Sequence, residues 1–153
     1  MHQQRNLAKV NAALQTAYEQ AIYEVYYGQE TIKIYIGEYC RPLDYLIAKC
    51  DYAPRSLTNR PTWALITAAN PYSKPLSELE NQQRQQKLIE YLQELPWSWL
   101  DAVGKDRTGV WTPEPSLLIL GIDRFEAIAI GQKFEQNALV YGELNQPAEL
   151  QWL

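Results

Sequence analysis

The feature that most constrains this chain is the apolar run at residues 63–69, which ends at Asn70-Pro71. The run is short and does not alternate with polar residues, so it predicts a central strand buried on both faces. A residue before proline is pushed out of the helical region, and the strand is expected to stop at Asn70. A long helix follows. Pro75 suits a first turn, Ser73 or Ser77 can cap it, and Ser77-Glu78-Leu79-Glu80 has the capping-box form. Leu88, Leu92 and Leu95 define the buried stripe, and Pro96 ends the helix after Leu95.

Downstream, residues 98–103 read as a strand, 104–109 as a hairpin loop and 117–120 as the returning strand. Asp123 is an N-cap for a helix reaching about Phe134. Residues 138–144 and 149–153 read as two more strands, the last at an edge. From about 62 to 144 the order is β-α-β-β-α-β, the ferredoxin-like order. Upstream, Leu7, Val10, Leu14, Ala17 and Ala21 give residues 5–20 one apolar helical stripe. Two readings then compete. Residues 22–36 form a β-hairpin turning at Gly28-Gln29-Glu30, or one helix runs from Arg5 to Tyr27. Pro42 begins a short helix with Leu43, Leu46, Ile47 and Cys50 on one side, and 51–61 is a loop rich in breakers. The expectation is an α+β fold in a single domain over 1–153: a ferredoxin-like core, an N-terminal helix and an added β-hairpin.

Composition narrows the function. The chain has 153 residues, 46% of them apolar, enough for one core without staples. Its net charge is −4 and no Lys/Arg cluster stands out, which argues against a nucleic-acid footprint and against anionic membranes. No stretch approaches the length of a bilayer span, and Met1-His2-Gln3-Gln4-Arg5-Asn6 lacks a signal-peptide apolar region. A cytoplasmic location is expected. The single histidine, His2, leaves no basis for a histidine-based metal site or a Ser-His-Asp triad. Cys40 and Cys50 fit no zinc spacing; they read either as a disulfide or, the default in a cytosolic chain, as two free, half-buried thiols. Residues 104–109 do not match a phosphate-binding loop, and no cofactor is expected.

Several polar residues need explaining. One heptad back from Leu88 is Asn81, and one back from Leu92 is Gln85, so the helix carries amides on the face it later buries. In a ferredoxin-like arrangement the first strand ends, and the third and fourth begin, at the same edge. That brings Asn70, Ser73, Asn81, Glu114, Ser116, Gln136 and Asn137 together. The competing reading is that each is a cap or turn residue at an element end. Glu114 lies between Pro113 and Pro115. It either bonds loop N–H groups, binds a ligand amine, or acts as a general base. Lys74, Arg84, Lys105 and Arg107 either supply positive charge near it or, their default role, are solvated surface charges.

The segments 66–71 with Ser73, Asn81 and the leucines after it, Glu114-Pro115-Ser116, and 134–138 resemble a family of bacterial proteins, domain of unknown function family 3293. The resemblance covers about residues 18–145. It departs from the family pattern at Ala69, where an aromatic is common, and at Glu135, where glycine is common. It implies no reaction.

Three classes of function follow. The first is a binding module for a small polar ligand or a protein partner, through the amides and Glu114. The second is an enzyme with Glu114 as general acid or base. The third is a structural or assembly protein, in which exposed residues among its eleven Tyr and five Trp form a homo-oligomer face.

Overall fold

The computed structural model describes residues 12–49 and 60–153. The predicted start of the first helix, the loop at 51–59, His2 and Cys50 lie outside the described residues. Eleven elements plus one short 3-10 turn follow one another: α1 (Ala12–Gln20), β1 (Ile22–Tyr27), β2 (Glu30–Tyr35), α2 (Arg41–Lys49), β3 (Thr62–Thr67), the turn at Pro71–Ser73, α3 (Glu78–Gln93), β4 (Ser98–Lys105), β5 (Glu114–Leu120), α4 (Arg124–Lys133), β6 (Ala138–Glu143) and β7 (Glu149–Trp152). The seven strands form one sheet in the order β2-β1-β4-β5-β3-β6-β7, with every neighbouring pair antiparallel.

Strand β3 is central and buried on both faces, as its apolar run demands. Trp63 and Leu65 point into one hydrophobic cluster, with Leu118 and Leu120 of β5 and Leu43, Leu46 and Ile47 of α2. Ala64 and Ile66 point into the other, with Leu117 and Ile119, Leu88 and Leu92 of α3, and Ile130 of α4. Side chains alternate across a strand, so one register fills both layers. Burying each of these aliphatic side chains stabilises the fold by about 1.5–3 kcal/mol. The close packing has a local requirement at Gly142 of β6. A Cβ there would sit 2.3 Å from the Trp63 ring, so the indole lies where no other residue leaves room.

The two competing readings near residue 22 are resolved in favour of the hairpin. β1 and β2 pair from Ile22↔Tyr35 to Tyr27↔Glu30, with Gly28 at φ 60° in the turn. β1 also pairs with β4, so the hairpin extends the sheet. The long helix has the expected capping box: Ser77 accepts from the Glu80 backbone N–H, and the Glu80 carboxylate accepts from that of Ser77. It ends at Gln93 rather than Leu95, because Leu95 N–H bonds to Leu92 O and tightens the last turn ahead of Pro96.

One strand begins earlier than the sequence suggested. Glu114, Pro115 and Ser116 belong to β5, opposite Gly104, Val103 and Ala102. Pro115 is tolerated because the ladder to β3 starts one residue later, at Ser116↔Thr67, leaving a side where no strand needs its N–H. No helix of the described residues is long and apolar enough to cross a membrane. Cys40 is a free, part-buried thiol whose pKa burial pushes up.

Candidate functional site

At the end of β3 the backbone leaves ordinary geometry. Asn70, Tyr72 and Ser73 all have positive φ, at 47°, 52° and 61°. Asparagine tolerates the left-handed region fairly well, but a tyrosine and a serine there each cost roughly 1 kcal/mol or more. The surrounding bonds hold this segment in place. Ser73 N–H donates to Asn70 O (2.8 Å), Lys74 N–H to Pro71 O (3.0 Å) and Tyr72 N–H to Glu135 O (2.6 Å).

Asn70 is the hub. Its backbone N–H donates to Asn81 Oδ1 (2.9 Å), and Asn81 Nδ2 donates back to Asn70 Oδ1 (2.8 Å). The same Oδ1 accepts from Leu76 N–H (3.0 Å). Asn70 Nδ2 is thereby turned outward and donates to Glu114 Oε1 (2.8 Å). The heptad argument for Asn81 and Gln85 therefore holds in a specific form. Asn81 fixes Asn70, while buried Gln85 accepts from Ala68 N–H (3.3 Å).

A second chain of bonds runs alongside. Asn137 Nδ2 donates to Ser73 Oγ (2.9 Å), and Ser73 Oγ is 2.8 Å from the Tyr18 hydroxyl of α1. Tyr18 packs edge-on against Trp152 with ring centroids 5.2 Å apart. The two chains meet through the Asn70–Ser73 backbone bond. Asn70, Ser73, Asn81, Glu114 and Asn137 thus come together at one sheet edge. Ser116 and Gln136 do not join them. Ser116 Oγ donates to Glu114 O (3.1 Å), and Gln136 Nε2 donates to Ala69 O and Phe134 O (both 3.1 Å), so both side chains tie down backbone.

Arg84 overturns its reading as a solvated charge. Its side chain is only 22% exposed. Nε donates to Ala68 O (2.6 Å) and a terminal nitrogen to Phe134 O (2.7 Å), clamping the ends of β3 and α4. Lys105 pairs with Glu24 (2.9 Å), Arg107 lies over the Tyr35 ring, and Lys74 is exposed. Among the described residues no cation pairs with Glu114. Burial pushes the Glu114 carboxyl above its ordinary value, and the Asn70 hydrogen bond only partly opposes this. Burial likewise pushes the Tyr18 hydroxyl up, against the lowering effect of its bond to Ser73.

Glu114 opens onto a cavity of about 80 Å³ between α1 and the sheet. Leu14, Ala17 and Ala21 line one wall, Tyr23 and Trp111 another, and Ser73 and Tyr18 reach its rim. Sequence reasoning missed Tyr18 and the cavity, because α1 carried only an apolar stripe and its partner surface was unknown. Among the described residues no group of three or more His, Cys, Asp or Glu side chains is placed to hold a metal.

The end of α4 explains the place of Glu135. Gln136 N–H bonds to Gly131 O (2.9 Å) and Glu135 N–H to Gln132 O (3.1 Å), with Glu135 at φ 59°. This is a Schellman-type helix end, whose left-handed position ordinarily takes glycine.

The fold and this edge define an α+β protein with a half-buried polar cluster beside a small cavity. The family described as Protein of unknown function (DUF3293) matches at residues 66–139, and that match supports assigning the chain to it. The matched segment contains Asn70, Ser73, Asn81, Glu114, Ser116, Gln136 and Asn137. It is narrower than the resemblance over about 18–145, leaving out Tyr18 and the hairpin. No curated protein and no solved structure matches the chain.

Proposed function

We propose that the edge formed by Asn70, Ser73, Glu114 and Asn137 is a binding site for a small polar ligand, with Asn81 as a positioning residue behind Asn70. The observation that carries this is the combination at one place of left-handed backbone and a half-buried carboxylate without a counter-charge among the described residues. Each is unfavourable for folding, and neither is needed to connect β3 to α3. Such costs persist where a site requires the geometry. The strand order β4-β5-β3-β6, antiparallel throughout, supports a ferredoxin-like reading of the core. One sheet shared by both hydrophobic clusters supports a single domain.

Amide NMR spectra recorded with a library of small polar metabolites test the proposal. Binding is expected to move the signals of Asn70, Ser73, Glu114 and Asn137 together. Shifts confined to other surfaces, or none, would overturn it. A second reading, with Glu114 as general acid or base, draws on the same raised carboxyl pKa. Turnover that survives Glu114→Gln would end that reading.

A further inference from the structure

The binding-site reading leaves open what the site takes, and the cavity beside Glu114 narrows it. Among the described residues three charged side chains line the cavity: Lys105, Asp106 and Glu114. Two are already engaged. Lys105 Nζ is held by Glu24 Oε2 at 2.9 Å. Asp106 accepts from the Thr108 hydroxyl and from the backbone N–H groups of Val110 and Trp111 (3.2 Å each), so it serves its own loop. Glu114 receives one hydrogen bond, from Asn70 to Oε1. Its Oε2 has no partner among the described residues. A carboxylate offers about four acceptor positions, so most of this one's capacity is unspent.

The hydroxyls of Ser73, Thr112 and Tyr18 add neutral polar groups, and the rest of the described wall is mostly apolar or aromatic. Leu14, Ala17 and Ala21 carry no polar side-chain atom, and Tyr23 and Trp111 present rings. An anion would meet the Glu114 carboxylate with no free cation among the described residues to offset it. A neutral alcohol would leave the carboxylate's charge uncompensated. A protonated amine supplies both donors and charge, and the ring faces favour a cation as well. Size restricts it further. A cavity of roughly 150 Å³ accommodates benzene, and this one is about 80 Å³. It has room for an ammonium head and two or three carbons.

We infer that the site binds a protonated primary amine on a short aliphatic chain, with the ammonium on Glu114 Oε2 and the chain against Ala17 and Ala21. This deepens the binding-site reading above and rests on it. The raised carboxyl pKa adds a direction: a cation favours the ionised form, so affinity rises as pH increases through the Glu114 titration.

The test uses the full chain and three probes of one size: n-propylamine, n-propanol and propionate. Each is titrated while the amide signals of Ser73, Gly104 and Glu114 are followed by NMR. The amine is expected to saturate these shifts, to bind at least about tenfold more tightly than the alcohol, and to lose that advantage in Glu114→Gln. Ala17→Leu, which fills the apolar end and leaves the carboxylate in place, is expected to weaken the amine as well. That variant keeps the proposal testable should Glu114→Gln fold poorly. If propanol or propionate binds as well as the amine, the ligand class is wrong and the binding site survives. If none of the three probes moves these signals, the inference falls, and the site reading stands or falls on the metabolite library.

Discussion

The two ends of β3 solve the same problem in different ways. At its start, Thr62 Oγ1 donates to Ile122 O (2.6 Å), Gly121 N–H to Thr62 O (2.8 Å) and Leu144 N–H to Pro61 O (2.9 Å). The left-handed residues near there are Gly121 at φ 82° and Asn145 at φ 61°, residue types that take this conformation readily. At its finish, the left-handed positions fall on Asn70, Tyr72 and Ser73, and the closing bonds involve five side-chain amides and a carboxylate. Glycine would serve the backbone there at less cost. Strand ends as such therefore do not call for this chemistry, and the difference points to a demand beyond chain connection.

The largest expected effect lies at the quiet end. Gly142→Ala forces a methyl into the Trp63 ring, and stability is expected to fall by up to about 3 kcal/mol in chemical denaturation. A neutral result would mean that this end is loosely packed and the contrast is misplaced. At the other end, Asn81→Leu extends the apolar stripe of α3 but removes two hydrogen bonds and strands the Asn70 N–H. A loss of about 2 kcal/mol is expected, with the amide signals of Asn70 and Ser73 shifting. An unchanged melting temperature would show that Asn81 does not hold Asn70.

Tyr72→Gly sharpens the comparison in the opposite direction. Tyr72 is exposed, so the substitution removes strain with little lost packing. Allowing for the added freedom of the unfolded chain, a gain of about 0.5 kcal/mol is expected. Loss of stability would mean that the left-handed turn is not strained. The smallest effect is that of Glu114→Gln, which keeps an acceptor for Asn70 and removes the charge. The native carboxyl pKa lies above the unfolded value. Its contribution to stability is therefore complete at low pH, below the unfolded carboxylate range, and is lost as pH rises through the native pKa. The variant is expected to melt slightly higher than wild type near pH 7, with the gap closing toward about pH 4. A gap that widens in acid would contradict a raised pKa.

These contrasts also show what could be seen in the sequence. The central strand, the Ser77 capping box and the Asp123 cap all rest on local rules, and those rules held. The gathering of Asn70, Asn81, Glu114 and Asn137 was legible because element order places strand ends. Which amide bonds to which was not, since periodicity gives a face and not a rotamer. Arg84 was misread because its long side chain turns inward from a mostly polar helix to reach two carbonyls. The left-handed Tyr72 and Ser73 left no signal, because neither residue type ordinarily marks that conformation.

Helix α1 contains none of the buried residues of the fold, yet it forms one wall of the cavity. Its anchors include the Tyr18 hydroxyl on Ser73, the Tyr18 ring on Trp152 and the Tyr18 carbonyl, which accepts from the Tyr23 hydroxyl. Few buried contacts make for inexpensive local opening, so its amides should exchange hydrogen with solvent well before those of β3. Any molecule that fills the cavity completes the packing of this helix and must slow that exchange. The exchange rate of nine residues at one edge thus reports occupancy of the site, whatever the occupant turns out to be.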